Sequence, residues 1–116
     1  MIPGAQVYLV DDDDDVRFHL TDLLRQLGYR VHAFGSAPEF LMGAQPASPA
    51  VLVLDMRMPV MNGLDVQQAL KSQGWGLPIV FISGESQSQE IIDAMKGGAV
   101  DFLWKPFAHT QLKEAI

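Results

Sequence analysis

Five short apolar runs alternate with five amphipathic segments along the chain. The apolar runs predict β-strands at residues 6–10, 30–34, 51–54, 79–82 and 100–104. The intervening segments place apolar residues three and four positions apart, as helices do, and the last of them, with Leu112 and Ile116, has no stop signal. This alternation predicts an α/β fold, with a parallel sheet covered by helices on both faces.

Capping residues and glycines mark the helix boundaries. A stripe that includes Leu20 and Leu24 predicts a first helix, which Gly28 ends. Ser36 and Glu39 have the capping-box spacing expected at the start of a short second helix. A third helix is predicted from about residue 64 to 72, and a fourth ends at the glycine pair 97–98.

The third apolar run is continuous and ends in Asp55. Four consecutive apolar residues, 51–54, predict a strand that is buried on both faces, as in a parallel sheet. Asp55 then lies at the carboxyl end of a central strand, where open α/β sheets form their ligand crevices. Taken alone, an aspartate at this position is equally compatible with a turn residue.

Composition excludes several classes of protein. The 116 residues include no cysteine, which rules out a disulfide framework and thiolate metal sites. Net charge is −6 and the eight Lys and Arg residues are scattered, so we expect no nucleic-acid binding by this segment. No apolar run approaches the roughly 20 residues of a membrane span. The N-terminus lacks the features of a signal peptide, which predicts a cytoplasmic protein without membrane contact.

Chemically useful side chains follow four of the five predicted strands. Asp11 and Asp12 follow the first, Asp55 the third, Ser83 the fourth and Lys105 the fifth. Because parallel strands place their carboxyl ends along one edge of the sheet, we expect these side chains to form a single site.

The run of five aspartates needs more than one explanation. Asp13 to Asp15 suit a solvated turn at a helix N-terminus, where the helix dipole favours negative charge. Asp11, Asp13 and Asp15 also have the alternating spacing of a calcium loop. However, Val16 stands where that loop needs glycine, and Asp22 where it needs a bidentate glutamate, so we reject a calcium loop.

Asp11, Asp12 and Asp55 would repel one another if they met without a cation. Magnesium offsets such crowding and suits a site with carboxylates, water and a phosphate. Ser83 then offers a hydroxyl to a phosphoryl oxygen and Lys105 a positive charge. Asp55 would be the nucleophile that forms an aspartyl phosphate, helped by positioning and charge neutralisation rather than by acid–base catalysis.

Four motifs together resemble the receiver domain of two-component response regulators. They are Val10-Asp11-Asp12, Leu54-Asp55-Met56-Arg57-Met58-Pro59-Val60-Met61-Asn62-Gly63, Ile82-Ser83-Gly84 and Lys105-Pro106-Phe107. Their order and spacing match over essentially the whole chain, so residues 1–116 are identified as one receiver domain. The resemblance implies a doubly wound, flavodoxin-like (βα)5 sandwich with strand order 2-1-3-4-5.

The resemblance also implies roles for the residues of the site. Asp55 would accept a phosphoryl group from a phosphohistidine of a sensor histidine kinase. Asp12 and Asp55 would ligate Mg2+ or Mn2+ directly, with the backbone carbonyl of Arg57, and Asp11 would act through a metal-bound water. Ser83 and Lys105 would contact the phosphoryl group.

Ser83 and Phe102 match the switch positions of the family. Phosphorylation would draw both inward and reshape the face formed by helix 4, strand 5 and helix 5, through which many receivers dimerise. Trp104 lies two residues after Phe102, so both rings should project from one face of the strand, where packing under the last helix is an equal alternative. Phe102 in the core, without a switch role, is also compatible with the sequence.

The sequence around Asp55 resembles receivers of transcriptional regulators, above all the LuxR type (NarL/FixJ-like) with a C-terminal helix-turn-helix. Regulators coupled to AAA+ ATPases are the second choice. We expect the last helix to be truncated and the output domain to lie outside this chain. Arg57 and Glu85 flank the predicted site, and we expect them to pair across it and slow hydrolysis of the acyl phosphate.

Three alternatives are weaker. An aspartate-nucleophile phosphohydrolase of the haloacid dehalogenase type needs a second acid two residues after the nucleophile, where this chain has Arg57. A flavodoxin-like FMN module conflicts with five aspartates after the first strand, which repel phosphate. A receiver used only for docking, without phosphorylation, has no need of the complete acidic set.

Overall fold

Five strands form one parallel sheet in the order β2-β1-β3-β4-β5, which confirms the predicted topology. The computed structural model describes residues 6–44, 50–58, 61–84, 88–105 and 114. The strands are β1 (Gln6–Val10), β2 (Arg30–Phe34), β3 (Ala50–Asp55), β4 (Ile79–Ser83) and β5 (Asp101–Trp104). β1 and β2 have the predicted bounds. β3 is longer by one residue at each end and β4 by one at its carboxyl end, so that they include Asp55 and Ser83, and β5 begins one residue later than predicted.

Four helices connect the strands within the described residues. They are α1 (Asp14–Gln26), α2 (Ala37–Gly43), α3 (Gly63–Ser72) and α4 (Ser88–Lys96). The segment predicted as a last helix, 112–116, lies outside the described residues apart from residue 114. No helix of the described ranges is long and apolar enough to cross a membrane.

The two faces of the sheet carry separate hydrophobic cores. Tyr8, Leu52, Leu54 and Phe81 belong to the core beneath α2, α3 and α4, and Leu9, Val53 and Ile82 to the core beneath α1. Alternate residues of β1, β3 and β4 therefore point to opposite faces, and both faces are buried. This explains why the sequences of these strands are continuously apolar rather than alternating.

Side-chain caps set the N-termini of α1, α2 and α3, although not always as predicted. Ser36 caps α2 by accepting the N–H of Glu39, but the Glu39 carboxylate accepts from Gly35 and not from Ser36. The reciprocal capping box occurs instead at α3, between Asn62 and Asp65. That box fixes the start of the helix that follows the Asp55 loop.

Gly63 brings the first turn of α3 against the end of β3. A Cβ at this position would lie 2.7 Å from a ring carbon of Phe81 and 3.1 Å from the carbonyl oxygen of Asp55. Both neighbours are buried and belong to β3 and β4, which are interior strands of the sheet. The absence of a side chain at residue 63 therefore allows the helix to approach the strand that carries Asp55.

We expect Gly63→Ala to lower the free energy of unfolding by about 2 kcal/mol, the usual cost of overpacking a core. Gly76→Ala is the matched control, because no atom lies within 4 Å of a Cβ at that position. It should change stability by less than about 0.5 kcal/mol, as an exposed substitution does. Urea unfolding of both variants measures the difference, and equal midpoints would contradict the close approach at Gly63.

Candidate functional site

Asp55 is the last residue of β3 and lies between the ends of two neighbouring strands. Its side chain is almost completely buried. In the sheet register, Leu54 pairs with Val10 of β1, and Asp55 pairs with Ile82 of β4. The residues that follow these partners, Asp11 and Ser83, therefore lie beside Asp55, as the strand-end argument predicted.

Asp11, Asp12 and Asp55 form the acidic cluster. One carboxylate oxygen from each residue lies within 4.8 Å of the other two. Asp11 and Asp55 are buried, whereas Asp12 is exposed at the rim of the cluster. Within the part of the chain that the structure describes, this group has three carboxylates and no nitrogen or sulfur ligand. Such a donor set suits a hard divalent cation, with water on the exposed side.

Every polar atom of Asp11 makes a hydrogen bond. Its N–H donates to the carbonyl oxygen of Phe34 (3.2 Å), and its own carbonyl oxygen accepts from the Arg17 guanidinium (2.8 Å). Oδ1 accepts from the N–H of Asp13 and Oδ2 from Nζ of Lys105, both at 2.9 Å. The position of Asp11 is therefore fixed by hydrogen bonds to all of its polar atoms, as is usual for a buried polar side chain.

Lys105 connects the end of β5 to the acidic cluster. Its Nζ lies 2.9 Å from Oδ2 of Asp11 and 3.6 Å from Oδ1 of Asp55, and its N–H donates to the carbonyl oxygen of Ser83. Burial lowers the pKa of Lys105, but the hydrogen bond and charge of Asp11 and the charge of Asp55 more than offset it. The net result is a pKa above the ordinary lysine value, so the ammonium remains charged.

The surroundings of Asp55 disfavour the ionised form of its carboxyl group. Burial and then the negative charge of Asp11 raise its pKa from 3.8 to about 7, and a hydrogen bond to Asp12 adds to the rise. The charge of Lys105 and the N–H of Arg57 act in the opposite direction but do not offset it. A positive charge placed among the three carboxylates would restore the ionised, nucleophilic form at neutral pH.

Ser83 and Arg57 flank Asp55 from two directions. Ser83 is fully buried at the end of β4. The N–H of Arg57 donates to Oδ1 of Asp55 (3.4 Å), so the loop after β3 turns back over the carboxylate. The Arg57 guanidinium forms a 2.6 Å ion pair with Glu90 in α4. Its predicted partner, Glu85, lies outside the described residues.

Phe102 lies where β5 meets the core beneath α4. It is half-buried, stacks on Phe81 at a centroid distance of 6.2 Å, and contacts the ring of Trp104 at 5.5 Å. The two rings of β5 thus share one face, as the two-residue spacing predicts. Trp104 is about half exposed (48%), so its ring extends the same face outward from the core.

Two residues near the site had no role predicted from the sequence. Arg17 follows Asp13 by four positions on α1, a spacing that places it on the same helix face but does not reveal its bond to Asp11. Glu90 lies 33 residues from Arg57, and no local pattern links the two. Both contacts depend on how α1 and α4 pack beside the strand ends.

The fold and the site define the class of protein, and known protein families agree with it. The chain belongs to the response regulator receiver domain family, whose profile matches residues 7–116. The chain is therefore a receiver of two-component signalling. Nodulation protein W of Bradyrhizobium diazoefficiens is 46% identical over 112 residues, which are 97% of this chain and 49% of that protein.

A second relative is the transcriptional regulatory protein TdiR of Thauera aromatica, 41% identical over 113 residues, 97% of this chain and 50% of that protein. The crystal structure of FixJ-N superimposes with a TM-score of 0.89 at 37% identity, covering 98% of this chain and 91% of that one. The chain thus resembles receivers of NarL/FixJ-like regulators and spans about half the length of the curated relatives it matches.

Proposed function

We propose that this receiver is a phosphorylation-dependent switch in which Asp55 accepts a phosphoryl group from the phosphohistidine of a sensor histidine kinase. The observation that supports this most strongly is the convergence of two carboxylates, those of Asp11 and Asp12, and the Lys105 ammonium around the buried Asp55. An Oδ of Asp55 attacks the phosphorus, the bond from phosphorus to the donor nitrogen breaks, and the histidine leaves.

Asp12 and Asp55 are the proposed direct ligands of Mg2+ or Mn2+, with the backbone carbonyl of Arg57. Asp11 is proposed to act through a bound water. The ion would supply positive charge that offsets the repulsion among the carboxylates and on the phosphoryl oxygens. The exposed side chain of Asp12 and the turn that brings Arg57 over Asp55 support this assignment.

Lys105 and Ser83 are the proposed partners of the phosphoryl group. Lys105 already bridges Asp11 and Asp55, so a phosphoryl group on Asp55 would lie within reach of the same ammonium. Ser83 would donate its hydroxyl to a phosphoryl oxygen and move toward it. Phe102 stacks on Phe81, which lies two residues before Ser83 in β4, and we propose that its ring follows an inward shift of Ser83.

The proposed output surface is the face made by α4, β5 and the segment after β5. Ile92, Met95, Val100 and Trp104 are each about half exposed there, which supports apolar docking or dimerisation of activated receivers. A C-terminal output domain, of the helix-turn-helix type that binds DNA, is proposed for the full-length protein. Three expectations stay predictions: a cytoplasmic location, a truncated last helix, and the absence of direct DNA contact by this segment.

Arg57 and Glu85 stay proposed as modulators of phosphoryl lifetime at the mouth of the site. Arg57 also forms an ion pair with Glu90 of α4, and its five N–H donors are enough to serve a second carboxylate such as that of Glu85. The phosphohydrolase alternative is not favoured, because position 57 carries a base where the second acid should stand. A docking-only receiver would have no use for the converging acidic cluster.

Incubation with acetyl phosphate and Mg2+ tests the proposed function. We expect intact-protein mass spectrometry to show the addition of one phosphoryl group, because acetyl phosphate supplies the group without a kinase. The same incubation with EDTA should leave the protein unlabelled. Labelling that is equally fast with EDTA would contradict the proposed role of the metal, and no labelling with Mg2+ would contradict the switch.

A further inference from the structure

Arg17, on the first turns of α1, holds the peptide group that joins Asp11 to Asp12. Its Nη1 donates to the carbonyl oxygen of Asp11 at 2.8 Å, and its Nη2 donates to the carboxylate of Asp14. The carbonyl of Asp11 shares a rigid plane with the nitrogen of Asp12. A bond to that oxygen therefore fixes the direction in which Asp12 leaves the strand.

Only one other bond of Asp11 restrains the same peptide. Oδ1 of Asp11 accepts from the N–H of Asp13 and closes a turn around Asp12, whereas the bonds to Phe34 and Lys105 lie outside that turn. That turn is local to residues 11–13, and the bond from Arg17 attaches it to α1, which aims the exposed side chain of Asp12. Without Arg17, Asp12 would sample more directions and meet a cation with a larger loss of entropy.

The guanidinium group is itself held in place. A Cβ on Gly35 would lie 3.2 Å from Nη1, so the group rests directly against the backbone after β2. The N–H of Arg17 donates to the carbonyl oxygen of Asp13 at 2.9 Å, and its own carbonyl oxygen accepts from Thr21. Arginine suits this position because its planar fork reaches two acceptors at once, which a lysine cannot do.

We propose that Arg17 is a positioning residue for the divalent-cation site, an inference that rests on the proposed function. It acts through the Asp11–Asp12 peptide and touches neither the cation nor the phosphoryl group. A positioning role and a purely electrostatic role of Arg17 predict opposite effects of its removal on cation binding. Loss of a positive charge near the acidic cluster would by itself strengthen cation binding, whereas loss of positioning weakens it.

Isothermal titration of the whole chain with Mg2+ measures the difference. We expect Arg17→Ala to raise the dissociation constant about 10-fold, as is typical when the outer contacts of metal ligands are removed. Arg25→Ala is the matched control, because Arg25 is exposed on α1 about 12 Å further along its axis. It removes the same charge from the same helix and should change the constant less than about twofold, since exposed charges at that range are screened.

Two further variants separate positioning from a purely structural role. Gly35→Ala keeps Arg17 but displaces its guanidinium, and Arg17→Lys keeps the charge but reaches a single acceptor, so both should weaken Mg2+ binding less than Arg17→Ala. At saturating Mg2+, Arg17→Ala should recover most of the wild-type rate of labelling by acetyl phosphate. A structural role alone would lower the urea midpoint without shifting the Mg2+ concentration needed for half-maximal labelling.

The outcomes distinguish this inference from the function on which it rests. Unchanged or tighter Mg2+ binding by folded Arg17→Ala, with normal binding by the wild type, would overturn the positioning role alone. If Arg17→Ala does not fold, Gly35→Ala and Arg17→Lys decide, and wild-type affinity in both would overturn it. A wild-type chain that binds no Mg2+ would overturn the proposed metal site and this inference together.

Discussion

Asp55→Asn is expected to abolish labelling by acetyl phosphate and Mg2+, because the amide is no longer a nucleophile for phosphorus. The substitution keeps the size of the side chain and its acceptor oxygen, so the bond from the N–H of Arg57 can persist. We expect a fall in the labelling rate of at least about 1,000-fold, the scale of losing the nucleophile in covalent catalysis. Quantitative mass spectrometry over time measures it.

Asp22→Asn is the matched control for this prediction. Asp22 is an exposed aspartate of α1 whose carboxylate accepts a hydrogen bond from Gln26, a bond that an asparagine oxygen can also accept. The control loses one negative charge away from the acidic cluster and should be labelled at the wild-type rate. Labelling that persists in Asp55→Asn would place the phosphoryl acceptor elsewhere, with Asp11 and Asp12 as the first residues to test.

Asp55→Asn is also expected to stabilise the metal-free protein at pH 8, by about 2 kcal/mol. The folded-state pKa of Asp55 is raised to about 7, whereas an unfolded aspartate titrates near 3.9. Between these values the folded state binds more protons than the unfolded state, so wild-type stability falls as pH rises from about 4 to about 7. The difference between the two pKa values corresponds to roughly 4 kcal/mol, and we expect about half of it because the charged site relaxes.

Urea unfolding with EDTA at pH 5 and pH 8 tests the sign of this effect. The gain in Asp55→Asn should be full at pH 8 and about a third of that at pH 5. Wild-type stability is lost between the unfolded pKa near 3.9 and the folded pKa of about 7, and pH 5 lies only part of the way along that interval. Mg2+ should narrow the stability difference between Asp55→Asn and the wild type at pH 8. The ion binds the folded wild type and not the unfolded chain, which adds about 2.7 kcal/mol of stability at 100 times the dissociation constant. A loss of stability in Asp55→Asn at pH 8 would show that Lys105 and Arg57 more than offset the burial of the charge.

The two expected results share one physical cause. Burial and the charge of Asp11 make the ionised Asp55 unfavourable in the metal-free fold, and a cation that relieved this repulsion would, in the proposed function, also free the carboxylate to attack phosphorus. The site therefore carries a cost in stability that ligands can offset. Such coupling allows occupancy of the site to bias a conformational equilibrium elsewhere in the domain.

Side-chain contacts connect the acidic cluster to α4 and α4 to α3. Arg57 touches Asp55 through its N–H and Glu90 of α4 through its guanidinium, so the loop after β3 connects the acidic cluster to that helix. In α4, the carbonyl oxygen of Ala94 accepts from the buried side chain of Gln67 in α3. Movement of α4 would have to break or carry both contacts, which makes them natural restraints on the resting state.

Most of the fold and of the candidate site could be predicted from the sequence because both depend on local signals and one topological rule. Continuous apolar runs marked the buried strands β3 and β4, and the carboxyl ends of parallel strands necessarily meet at one edge. Asp11, Asp55, Ser83 and Lys105 were therefore expected to converge although Lys105 and Asp11 are 94 residues apart. The predicted boundaries erred by one residue where the sheet register, rather than hydrophobicity, ends a strand.

Tertiary packing decided what the local signals do not contain. The partners of Arg17 and Arg57, the raised pKa of Asp55, and the tight approach of Gly63 to Phe81 each depend on distances between elements that are remote in sequence. Sequence periodicity reports which face of an element is buried, but not which atoms meet across the interface. The chain by itself thus predicted which residues form the candidate site, and the packed structure determined which partners hold them and how burial raises the pKa of Asp55.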